Sequence, residues 1–282
     1  MSQRMPNVAS ISERHLVAHA YVQATIDHLP KLSKDPGQLP GSPLPSKFLP
    51  HADGQTVVGL AAVLKAISNF ALQDEPFTAW SVLAASRFMG RAQFAATLNG
   101  YRQNGPKMVS PHIIPQASLH SLSGAISVAL KIRGPNLGVG GGQAALSEGL
   151  LAALTSVEVA SAPGAWLVLT EWDPEPTPDT SGRSTCDASV HAVALALTRH
   201  DSRDSSLLLR LVAQSPLVAE NRADGAPSVA DVCPSVHSLG KHVAQFGRGR
   251  AFAAWSCRLP GDLQVEIDDA AQQKTGSVRH VA

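Results

Sequence analysis

Apolar positions along the chain change period several times, and each change marks out a strand or a helix. Four short runs are almost wholly apolar: Trp80–Ala85, Ala165–Thr170, Val190–Thr198 and Leu207–Val212. Runs of that length bounded by turn residues predict buried strands. Asn136–Val139 predicts a fifth. Helical spacing runs through Val57–Leu72, with Val58, Ala61, Ala62 and Ala66 on one side. It returns over Gly90–Tyr101, over Leu119–Lys131, and from the glycines after Val139 to about Ser156. At the start, Ser12-Glu13 followed by Leu16, Val17, Ala20 and Ile26 predicts a helix from Ser12 to Leu29, ended by Pro30. Near the end, Ser235–Gln245 predicts a helix, and Ala251–Cys257 with Asp262–Ile267 a strand pair. The prolines of 30–50 and of Asp173–Arg183 mark loops, and Asp201–Asp204 reads as a hairpin-like turn between two strands. Strands alternating with helices imply a layered α/β domain.

Composition narrows the function more than the fold. A chain of 282 residues, 44% hydrophobic and 16% charged, can bury one sizeable core. A net charge of +1 and 5% aromatic residues offer neither an electrostatic nor a base-stacking surface for nucleic acid. No apolar run approaches the length of a membrane span, and the first thirty residues, with Glu13 and Asp27, do not read as a signal peptide. Cys186, Cys233 and Cys257 lack metal-ligand spacing and read as reduced thiols, so a cytoplasmic protein is expected.

The most telling local feature is the segment Asn136-Leu137-Gly138-Val139-Gly140-Gly141-Gly142-Gln143, running into an Ala/Leu-rich helix. Glycines permit a sharp turn, and the start of a helix presents free N–H groups to an anion or oxyanion. Such a strand–turn–helix elbow suits a nucleophile, yet a primary amide is a poor one. Gly140–Gly142 can equally serve only the packing of helix on sheet, with Gln143 satisfying buried backbone groups. A dinucleotide fingerprint is not supported, since the third glycine is replaced by Gln143 and no acidic residue ends a second strand.

Gly105-Pro106-Lys107-Met108-Val109-Ser110-Pro111, then Ile114-Pro115, then Arg133-Gly134-Pro135-Asn136-Leu137 and the elbow resemble the N-terminal half of a β-ketoacyl synthase of the thiolase superfamily. The resemblance is good over Gly105–Leu169 and extends more thinly from Lys47 to Val212. It implies a thiolase-like α/β fold, layered α/β/α around a mixed sheet. It also implies a division into an N-terminal helix and proline-rich segment (1–46), a ketosynthase-like domain (47–270) and a tail (271–282). Active ketosynthases carry the acyl-bearing cysteine ten positions after that arginine; here the residue is Gln143, as in chain-length factors and decarboxylating loading ketosynthases. The family's two catalytic histidines and lysine come from a C-terminal half that this chain replaces after Val212.

The resemblance therefore implies a non-catalytic, chain-length-factor-like subunit with no cofactor and no metal, partnered by an active ketosynthase and acyl carrier protein. The elbow residues Gly140, Gly141, Gly142 and Gln143 would be its vestigial site. Ser110, Pro111, Pro115, Asn136 and Leu137 would lie at the subunit interface, with the Asn136–Gly141 strand pairing across a two-fold axis. Two alternatives remain open: a malonyl-carrier-protein decarboxylase that uses Gln143, and a homodimer with a vestigial site. Among other candidates, Ser147 reads as core-facing and Glu148 as solvated. His15, His19 and His28 read as one face of the first helix, His112 and His120 as lacking zinc spacing, and His237 and His242 as surface or capping residues.

Overall fold

The computed structural model of the chain describes residues 10–37, 49, 51–111, 113–156, 159, 161–176, 187–200, 207–213, 235–246, 254–260 and 262–269. Among the described residues eight strands form one mixed sheet. They are β1 (Ser10–Thr25), β2 (Ser81–Ser86), β3 (Asn136–Val139), β4 (Gly164–Asp173), β5 (Ser189–Thr198), β6 (Leu207–Ala213), β7 (Trp255–Leu259) and β8 (Leu263–Asp269). Their order across the sheet is β3-β2-β4-β5-β1-β6-β8-β7. β2 runs parallel to β3 and to β4, and every other pairing is antiparallel. The helices are α1 (Leu29–Lys34), α2 (Gly54–Asn69), α3 (Arg91–Asn104), α4 (Ile113–Ala117), α5 (His120–Leu130), α6 (Ala145–Thr155) and α7 (Val236–Val243).

Alternation along the central strands separates two cores. Val168, Val190, Ala192, Ala194 and Ala196 face α2 and α5, while Leu167, Leu169, Val193, Leu195 and Leu197 face α6 and α7. The layered α/β arrangement around a mixed sheet is thus the one expected. α2 is deeply set, with Val58, Leu60, Ala62, Val63 and Ala66 fully covered. Asp53 caps it by accepting from Gln55 N at 2.8 Å. Gly59 lets Leu122 of α5 approach so closely that a Cβ there would lie 2.6 Å from Leu122 Cδ1. Full burial of a side chain such as Leu122 contributes roughly 1.5–3 kcal/mol.

Three expectations are corrected. The segment expected as a helix from Ser12 to Leu29 is the strand β1. Its spacing of Leu16, Val17 and Ala20 looks helical only because a bulge between Leu16 and Ala18 shifts the register. Beyond the bulge the alternation is strict: Ala18, Ala20 and Ala24 join one core, and His19 and Tyr21 point to the other side. Pro30, expected to end that helix, instead sits in the first turn of α1, where a missing N–H costs nothing. Finally, β5 and β6 do not form a hairpin, because β1 lies between them and pairs with both. The N-terminal segment set apart at residue 46 thus supplies an inner strand of the sheet. At the other end β8 extends the sheet from β6, and α7 closes the core over β5, β1 and β4.

Candidate functional site

Parallel strands β2, β3 and β4 open their carboxyl ends on one side of the sheet, where open α/β sheets commonly hold ligands. Val139 leads into Gly140 and Gly141 at φ 79° and 100°, the left-handed region that only glycine enters freely. A Cβ at Gly140 would lie 2.9 Å from Ala145 Cβ, whereas Gly142 faces open space. Gln143 is exposed in the following turn, Ala144 is the cap, and α6 begins at Ala145. Gln143 therefore does not serve buried backbone groups.

Its amide oxygen instead accepts from Arg87 Nη2 at 3.1 Å. Arg87 directly follows β2, and its backbone is fixed from both sides. Its N–H donates to Thr170 O at 2.9 Å, and its carbonyl accepts from Gln55 Nε2 at 3.1 Å. Gln55 is fully buried, with its Oε1 accepting from Thr170 Oγ1 at 2.9 Å. The elbow is tied to the same turn, because Phe88 N donates to Gly141 O at 3.2 Å. The guanidinium groups of Arg87 and Arg91 lie 5.3 and 4.9 Å from the Phe88 ring centre, within cation–π reach.

From Arg87 the polar row continues across the sheet. Arg87 Nη1 lies 3.7 Å from Glu171 Oε2 on β4. Glu171 is buried, and its other oxygen accepts from His237 N in the first turn of α7 at 2.9 Å. Burial pushes the Glu171 carboxyl above its ordinary range, opposed by backbone N–H groups at His237 and Val236 and by Arg87. A carboxylate at that position also complements the helix dipole. His191 on β5 is the register partner of Glu171.

Tyr21 on β1 completes the row. Its Oη stands 2.7 Å from His191 Nδ1 and 2.9 Å from His237 Nδ1, and the two nitrogens are 3.1 Å apart. Burial, then the neighbouring His237, lowers the His191 pKa to about 4. Burial, then Glu171 and Asp173, raises Tyr21 to about 12. α7 lies hard against Tyr21, since a Cβ at Gly240 would come within 2.2 Å of its ring. Gln143, Arg87, Glu171, His237, His191 and Tyr21 thus form one connected polar row, rich in donors and lacking a thiol or activated hydroxyl.

Of the residues singled out in the sequence, Gly140–Gly142 and Gln143 do form the elbow. Ser110, Pro111 and Pro115 are exposed before and within α4, while Asn136 and Leu137 are half-buried on β3, which among the described residues is the last strand on its side of the sheet. Asn136 Nδ2 donates to Ser127 Oγ at 3.0 Å, fastening β3 to α5. His15 and His19 lie on β1, not on a helix; His19 is buried, with its ring near those of Phe70 and Phe246. His237, expected at the surface or as a cap, is half-buried within the polar row. Cys257 is buried, its Sγ donating to Arg258 O at 3.4 Å; Cys186, Cys233 and His112 lie outside the described residues. Arg87, Glu171, Tyr21 and His191 escape sequence reasoning. The available signal is the lone Glu171 and the lone His191 interrupting otherwise apolar strands.

Among the described residues no three His, Cys, Asp or Glu side chains converge as a metal site, and no helix is long and apolar enough to cross a membrane. No protein-family model and no curated protein matches the chain. Among solved structures it is similar to the ishigamide ketosynthase/chain length factor, at 15% identity and a TM-score of 0.47 over 71% of this chain and 67% of that one. It is also similar to a chain of the ketosynthase ApeO in complex with its chain length factor ApeC from Xenorhabdus doucetiae (14% identity, TM-score 0.49, 90% of this chain and 99% of that one). A β-ketoacyl synthase from Burkholderia phymatum matches at 12% identity and a TM-score of 0.49, over 84% and 70% of the two chains.

Proposed function

We propose that the chain is a non-catalytic, ketosynthase-like subunit of the chain-length-factor kind. It pairs with an active ketosynthase in cytoplasmic fatty-acid or polyketide (aryl-polyene-type) synthesis and meets acyl carrier protein there. The observation that carries this reading is Gln143 on an otherwise well-formed elbow, its amide held by Arg87 where a ketosynthase has its acyl-bearing cysteine. Without a nucleophile the covalent step of condensation is lost. The edge position of β3 and the exposed Val109, Ile114 and Val128 nearby favour Ser110, Pro111, Pro115, Asn136 and Leu137 as the pairing surface. Tagged protein drawn from its native lysate should bring down a stoichiometric ketosynthase. Self-acylation, or condensation by the purified chain alone, would overturn the reading.

One observation favours a second reading, decarboxylation of a malonyl-carrier protein. Gln143 is linked through Arg87 and Glu171 to a histidine pair, the kind of group that such chemistry wants. Carbon dioxide release by the purified chain, abolished in Gln143→Ala, would establish it.

A further inference from the structure

The contacts among Tyr21, His191 and His237 ask for more hydrogens than neutral side chains supply. Three atoms, Tyr21 Oη, His191 Nδ1 and His237 Nδ1, stand 2.7, 2.9 and 3.1 Å apart in a closed triangle. A phenol brings one O–H, and a neutral imidazole brings one N–H on one of its two nitrogens. If one Nδ1 is an acceptor, the phenol and the other imidazole fill two edges and share the third. If both carry hydrogens, two N–H groups face each other across 3.1 Å. The phenol also lies 3.2 Å from Gln23 Oε1, which competes for its proton.

We infer that Tyr21, His191 and His237 form a binding site for a divalent transition metal, with zinc the representative ion. Bonds near 2.1 Å place adjacent ligand atoms roughly 3.0–3.4 Å apart, which the 3.1 Å edge already matches and which the 2.7 and 2.9 Å edges reach by opening a few tenths of an ångström. Two imidazoles and a phenol suit zinc, cobalt or copper rather than magnesium or calcium.

The ligands are positioned by the fold. His191 and Tyr21 come from adjacent antiparallel strands, with their rings stacked at an interplanar angle of 5°. His237 comes from α7, whose first turn Glu171 holds through its 2.9 Å contact with His237 N. Asp173 and Lys241 act on His191 with opposite signs, and Arg87 offsets Glu171 behind it. Binding displaces the phenol proton and any proton on either Nδ1, so the ion replaces hydrogens in the triangle and leaves the backbone where it is. The inference is independent of the proposed function.

The test is titration of the full-length chain with Zn²⁺ against a chromophoric indicator, and with Co²⁺ followed by visible absorption, in unbuffered solution to count released protons. One ion per chain is expected, with proton release. His191→Ala and His237→Gln should each weaken binding by at least ~100-fold, and Tyr21→Phe should change the cobalt spectrum. His237 is the more exposed of the two histidines, so His237→Gln gives the answer if the buried His191→Ala does not fold. No binding by the wild type, or one ion retained in His237→Gln, would overturn the inference and leave the triangle a hydrogen-bonded cluster.

Discussion

Arg87 donates to the amide oxygen of Gln143 across 3.1 Å while its other terminal nitrogen faces the buried Glu171. The elbow is thereby coupled to the interior charge of the sheet, and the guanidinium sits where a thiolate at position 143 would need a counter-charge.

Gln143→Cys should therefore yield a thiol with a pKa below the free value near 8.5, because a nearby guanidinium favours the thiolate. Its alkylation rate at neutral pH should exceed that of the buried Cys257 by at least about tenfold. Condensation should remain absent, and a further Arg87→Ala change should return the rate toward that of a free cysteine. Timed iodoacetamide labelling with mass spectrometry reads the two rates, and product analysis with acyl and malonyl thioesters reads condensation.

Two glycines should respond oppositely to alanine. A Cβ at Gly138 would lie 2.3 Å from the carbonyl oxygen of Leu119, so Gly138→Ala should lower stability by about 1–3 kcal/mol. Gly124 lies within α5, and a Cβ there meets nothing within 4 Å. Gly124→Ala should raise stability by about 0.5–1 kcal/mol. Urea unfolding of both variants checks the pair.

Stability should depend on two buried histidines and on one carboxyl of opposite sign. Burial lowers His19 to about 4, and His191 is lowered to the same value. Each group is held neutral in the fold, so its contribution is complete above the unfolded value near 6.5 and is lost as pH falls toward 4. The loss at His19 is on the order of 3 kcal/mol. Burial raises Asp53 to about 6, so that group works the other way, favouring the fold as pH drops from about 6 through the unfolded value near 4. Denaturation midpoints at pH 7, 5.5 and 4.5 should fall less in His19→Phe than in wild type and more in Asp53→Asn.

If α5 and β3 form the pairing surface, a charge at the exposed Val128 should break pairing without unfolding the chain. Val128→Glu is expected to abolish co-purification of the ketosynthase with a thermal midpoint within a few degrees of wild type. Unchanged co-purification would place the contact elsewhere.

The elbow and the strands around it were readable because local chemistry decides them. Asn136–Val139 lies where its apolar run and following glycines put it, and Trp166–Leu169 is an apolar run that could only be buried. β1 was not readable as a strand by its first residues, since the bulge after Leu16 imitates a helical step. The alternation of Ala18, Ala20, Val22 and Ala24 with His19, Tyr21 and Gln23 did carry the signal, further along. The polar row was hidden for a different reason: Glu171, His191 and Tyr21 come from three strands and Arg87 from the turn after a fourth, and only the lateral order of those strands brings them together. No spacing along the chain encodes that order.

The position of β1 between β5 and β6 has a consequence for the nascent chain. As the polypeptide leaves the ribosome, β1 emerges well before both strands that flank it, which are made only after residue 188. Until then two unsatisfied edges of an apolar strand are on offer to any neighbour. Productive closure has to wait for contacts between segments far apart in the sequence, which makes them slow to form. Expression at low temperature, or with a chaperone that shields extended segments, should raise the soluble yield more than any change to the surface of the finished fold.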